Sequence, residues 1–154
     1  MSRKIMIEFP DLKIKFTATL LDKEEPEECD VFWKLLKKPL KTACYHTLST
    51  GHYFGGEGRP PKHPVKSGTQ AKPIGRRSFL LSQLDPGMLV YPGGNSLKVA
   101  YGPHITEPLA SPGPVIAKVD KEGLGDLMKA GLGVWNAQYM THQLVTMTVR
   151  RKEG

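Results

Sequence analysis

Between Leu12 and Leu20 every second residue is apolar: Leu12, Ile14, Phe16, Ala18 and Leu20 alternate with Lys13, Lys15, Thr17 and Thr19. A period of two puts alternate side chains on opposite faces of a strand, so this run predicts a strand buried on one face and wet on the other. Just before it, Ile5 and Ile7 alternate with Lys4 and Met6, and Pro10-Asp11 supplies turn chemistry between the two runs. The chain therefore opens as a β-hairpin, which constrains it toward a sheet closed over a core.

Later segments fit the same frame. Pro26 suits the first position of a helix, and Glu24, Glu25, Glu27 and Glu28 favour its positive end. Cys29, Phe32, Trp33 and Leu36 form one apolar stripe, and Pro39 stops the helix. Thr42 to Tyr45 and His52 to Phe54 read as short strands around a polar turn. Pro86 to Gly102 reads as strand, Gly-rich turn and strand. Pro114 to Val119 is an apolar strand leading to a short helix that is expected to end near Gly131, and alternation over Gln143 to Arg151 supplies a last strand. With no repeat or linker between these elements, residues 1–154 are expected to form a single domain.

Composition narrows the function classes. No apolar run approaches the about 20 residues that span a bilayer, and Glu8 interrupts any signal-peptide core, so a cytoplasmic protein without a membrane partner is expected. Cys29 and Cys44 belong to no C-x-x-C pattern and read as buried thiols. The net charge of +7 permits anionic partners. Its densest stretch, Arg59 to Arg77, has no aromatic residue between its cations, which makes nucleic acid an unlikely partner. That stretch is rich in proline and long for a connection, so it is a candidate lid. No metal or cofactor is expected. His46 and His52 lack a third ligand nearby, and Gly93-Gly94-Asn95 is not followed by the Gly-Lys-Ser/Thr of a phosphate loop.

Tyr45-His46-Thr47-Leu48-Ser49-Thr50-Gly51-His52-Tyr53-Phe54-Gly55-Gly56-Glu57 resembles the cyclophilin signature F-H-R-I-I-P-G-F-M-x-Q-G-G-D. The aromatic-His pair, the middle glycine and the Gly-Gly-acid ending are retained. Glu25-Pro26 through Phe32 and Leu35 is similar to the first cyclophilin helix. Pro114-Val115-Ile116-Ala117-Lys118-Val119 with Gly123 and Leu127 is similar to the strand and helix H-V-V-F-G-K-V-x-x-G-M-x-x-L. Pro86 to Gly102 resembles the P-G-x-L-L-Y-P-G-G pattern of the small bacterial cyclophilin-like family DUF3830. These four ordered blocks cover nearly the whole chain. They imply a mainly β fold: a cyclophilin-like closed antiparallel β-barrel of about eight strands with one or two capping helices.

The resemblance also carries a negative expectation. Thr47 stands where prolyl isomerases place an arginine, the glutamine before Gly-Gly is missing, and Pro114 replaces a histidine. A hydroxyl cannot supply the guanidinium charge that stabilises a rotating amide, so prolyl isomerase activity is not expected. The superfamily includes cucumopine synthase, which condenses histidine with a keto acid, so other chemistry has precedent on the barrel. Where similar small proteins show an acidic group, this chain has His52, an acid/base candidate near neutral pH.

The expected site is one barrel mouth. His52, His46 and Glu57 are its catalytic candidates, and Tyr53, Tyr91, Tyr101 and His104 its ligand-binding residues, with Arg76 or Arg77 reaching in from the long loop. The expected partner is a small anionic or heterocyclic metabolite, bound either by an enzyme acting on a carboxylate-bearing or heterocyclic substrate or by a non-catalytic metabolite- or peptide-binding module. Self-association is left open.

Overall fold

Eight antiparallel strands close into a barrel in the order β1-β2-β7-β5-β6-β4-β3-β8. They are β1 (Lys4–Phe9), β2 (Ile14–Leu20), β3 (Leu40–His46), β4 (Gly51–Glu57), β5 (Met88–Val90), β6 (Ser96–Ile105), β7 (Val115–Val119) and β8 (Thr146–Lys152). Among the described residues two α-helices accompany them, α1 (Pro26–Leu35) and α2 (Leu124–Asn136). This computed structural model describes residues 2–63 and 75–153.

The predicted hairpin forms, with Ile5 opposite Ala18 and Ile7 opposite Phe16. Its inward side chains, Ile5, Ile7, Phe9, Phe16, Ala18 and Leu20, join Phe54, Leu97, Val99, Tyr101, Met147 and Val149 in one core. Each large apolar side chain removed from water there contributes about 1.5–3 kcal/mol. Closure also leaves no unpaired barrel edge. A second core lies outside the barrel wall. Tyr53, Ala100, Met88, Val90 and Val115 are covered there by Phe79, Leu81 and Leu84.

The helices close opposite ends. α1 seats Phe32 against Tyr91, ring centroids 4.9 Å apart, and the Cys29 thiol donates to the Ile116 carbonyl. Arg59 donates to the carbonyls of Leu35, Lys38 and Pro39, so this cation of the basic stretch caps the helix's unsatisfied C-terminal end. α2 closes the other end and runs past Gly131, continuing as a π-helical turn over Ala137–Thr141. The expected stop at Gly131 is thus corrected. A Cβ at Gly131 would lie 2.2 Å from the Tyr101 ring, so the glycine permits helix and strand to approach rather than ending the helix. The central part of the candidate lid, residues 64–74, lies outside the described residues.

Candidate functional site

The mouth under α2 is shaped by an irregularity. β4 and β6 pair Gly51 with Ile105 and Tyr53 with Ala100, so His52 alone faces Tyr101, Gly102, Pro103 and His104. Pro103 cannot donate to a ladder, which favours a break at this place. Gly51 takes φ +109°, and a Cβ there would fall 1.9 Å from the His104 carbonyl oxygen. The bulge crowds His52 against Tyr101 and His104, each ring centroid 5.0 Å away.

His46, at the end of β3, completes the cluster. Its Nδ1 lies 2.8 Å from the Thr47 carbonyl, which can only accept, so Nδ1 carries the proton. Nε2 then accepts from the Tyr101 hydroxyl at 2.7 Å. Burial pulls His46 below its ordinary pKa and pushes Tyr101 up to about 12, so the two form a neutral pair at pH 7. The π-helical turn adds Gln138, whose Oε1 accepts the His46 N–H at 2.5 Å, and Tyr139, which donates to the Thr47 carbonyl.

His52 is only half-buried. Burial, then His104 and His46, lower its pKa, so it is neutral at pH 7. Its Nδ1 accepts from the His104 amide at 3.4 Å, which leaves Nε2–H as the donor available to a bound molecule. Between α2, its π-helical turn and the β3–β8 side is a cleft of about 220 Å³ lined by Cys44, Val134, Ala137, Gln138, His142, Gln143, Leu144 and Val145, which Gln138 links to His46. Its size suits a small metabolite, being just below the about 300–1,000 Å³ of pockets for larger ligands. The Cys44 thiol, pushed up to about 12 by burial, is no nucleophile at neutral pH.

Of the nine residues expected at one mouth, four meet here: His46, His52, Tyr101 and His104. The other five do not. Glu57 ends β4 on the α1 side, about 17 Å from His52 at about 3.4 Å per residue, where Tyr45 and Ser96 donate to it. Tyr53 has the opposite parity to His52 and lies in the outer core. Tyr91 packs beneath α1. Arg76 pairs with Glu27 at 2.7 Å, and the Arg77 amide donates to Glu25. Glu57 and Tyr91 lie at the other end of the barrel and Tyr53 on the other face of its wall, which is why the grouping divides. Gln138 and Tyr139 had no sequence signal, because the helix was expected to end before them.

No family model matches the chain, and no curated protein matches it. Among solved structures, the chain is similar to McbB in complex with tryptophan, with a TM-score of 0.80 and 26% identity over 97% of this chain. The match spans 45% of the McbB chain, so this sequence corresponds to less than half of that protein. Fold and likeness together define a closed antiparallel eight-stranded barrel. Among the described residues no helix is long and apolar enough to cross a membrane, and no cluster of three or more His, Cys, Asp or Glu is arranged to hold a metal.

Proposed function

We propose that this chain is a cyclophilin-like barrel that binds a small carboxylate-bearing or heterocyclic metabolite at the α2 mouth and acts on it as an enzyme without prolyl isomerase activity. The observation that carries the reading is the β4–β6 bulge, which sets a neutral, half-exposed His52 among Tyr101, His104 and His46. A neutral imidazole with a free N–H can orient a carboxylate and exchange a proton near pH 7. The aromatic rings favour a flat heterocycle, and the McbB likeness supports an amino-acid-sized ligand. The Thr47 hydroxyl donates to the Tyr53 carbonyl and so serves the backbone, which supports the absence of isomerase chemistry.

Non-catalytic binding is the second reading. It is favoured by the His46–Tyr101 pair, whose polar atoms are already satisfied within the fold. A thermal-shift screen of tryptophan, histidine and 2-oxo acids, followed by mass spectrometry of incubated mixtures, tests both. His52→Ala is expected to abolish turnover, and Leu144→Trp, which fills the cleft from an exposed position, to abolish binding. Binding and turnover that survive both changes would place the site elsewhere. Binding without product in the parent would leave the module reading.

A further inference from the structure

The two segments that meet at the α2 mouth are free of full charges. No Asp, Glu, Lys or Arg occurs between Lys41 and Glu57, or between Lys129 and Arg150. At the chain's average of 24% charged residues, these 35 positions would hold about eight. They cover most of β3 and β4, the second half of α2 with its π-helical turn, and the first part of β8. In the barrel β3 lies between β4 and β8, so the two runs are neighbours.

Burial alone would explain such depletion, but part of this surface is wet. Of the seven large apolar side chains left exposed among the described residues, five lie in these runs: Leu48, Leu132, Trp135, Met140 and Leu144. Leu48 is 88% exposed. They form one face. Tyr139 donates to the Thr47 carbonyl at 3.2 Å, which seats the β3–β4 turn and Leu48 beside the π-helical turn. The Trp135 and Tyr139 ring centroids are 5.7 Å apart, and Leu132 and Met140 flank them along the helix. Leu144 and His142 rim the adjoining cleft. Charges stand at the border, where Glu107 accepts the Ser49 and Thr50 hydroxyls and Asp11 accepts the Thr146 amide. An uncharged centre with aromatic residues and Met inside a polar rim is the composition of a protein–protein interface. An exposed apolar face of this kind is unusual on a monomer.

Net charge selects the occupant. At +7, two copies of this chain repel each other, and the repulsion is least where neither presents a charge. A twofold interface pairs one patch with itself, so a charge-free apolar patch is complementary to its own copy. An acidic partner or an anionic lipid surface would instead be drawn to lysine and arginine, which this face lacks. We infer that the face formed by the β3–β4 turn, the second half of α2 and its π-helical turn is the contact of a twofold homodimer. A second copy there closes over the rim of the cleft at His142 and Leu144. The inference stands without the ligand proposed for the mouth.

Sedimentation velocity of the full chain at about 0.15 M ionic strength, loaded at about 1 to 100 µM, tests it. The expected species at the top of that range has twice the 17.1 kDa of one chain. Its fraction should rise with added sodium chloride, because screening relieves the repulsion between copies and leaves the apolar contact intact. Leu48→Glu and Trp135→Glu each place a carboxylate on the face and should raise the dimer Kd about tenfold or more. Leu109→Glu, at an exposed position outside both runs, should leave it unchanged. All three lower the net charge alike, which on its own would favour association, so the comparison isolates the face. Far-UV circular dichroism checks the fold of each variant. A parent that stays monomeric throughout overturns the inference, and its flotation with phosphatidylcholine vesicles would assign the face to a lipid surface. A dimer that both face variants leave intact, or one that dissociates as salt rises, overturns it as well.

Discussion

Glu28→Gln isolates the cost of one buried carboxylate. Burial, with Glu25 and Glu27 close by, pushes the Glu28 carboxyl up to about 7 from an ordinary 4.5. Between those values the folded chain holds a proton that the unfolded chain has released. The stability this group carries is therefore full below the unfolded value and is lost as pH rises through about 7. At about 1.4 kcal/mol per pH unit the gap amounts to about 3.5 kcal/mol, which local relaxation reduces to about 2–3 kcal/mol. Glutamine has the shape of the protonated acid and never ionises. The variant should come within about 1 kcal/mol of the parent at pH 5 and exceed its stability by about 2–3 kcal/mol at pH 8, or about 4–12 °C in Tm. Urea unfolding of both proteins in phosphate at the two pH values measures this. His46 and His52, whose lowered pKa values act in the opposite sense, cancel in the difference. A variant-minus-parent difference that is equal at pH 5 and pH 8 refutes the reasoning.

Three further outcomes are expected. Gly131→Ala should destabilise by about 2 kcal/mol or more despite alanine's higher helix propensity, because its Cβ would overlap the Tyr101 ring; a rise in Tm would show that α2 can retreat from the strand. Tyr101→Phe removes the donor to His46 Nε2 and should cost about 1–3 kcal/mol in chemical denaturation. Unchanged stability would mean that water replaces the hydroxyl. A protease-coupled peptide assay should detect no prolyl isomerisation, and turnover comparable to an authentic cyclophilin would overturn the reading of Thr47.

By itself the sequence determined most of the elements, and its resemblance to the cyclophilin blocks implied the barrel class. Alternation over Leu12 to Leu20, the Pro26 helix start and the Gly-rich turn near Gly93 act within a few residues, and local periodicity is written in the chain. Tertiary structure decided how the candidate residues group. His52 and Glu57 are five positions apart on β4 yet serve opposite ends, and Tyr53 differs from His52 by the single step of parity that turns it outward. The bulge that joins His52 to Tyr101 and His104 depends on the pairing of β4 with β6, across about fifty residues of chain. Gly131 carried a stop signal, but its meaning came from the Tyr101 ring packed on it. Glu28 read as one of four acids suited to a helix start, and only the packing of α1 on the barrel buried it, its Oε2 left without a partner among the described residues. Propensity acts between neighbours in sequence, whereas desolvation and register arise only when distant segments meet.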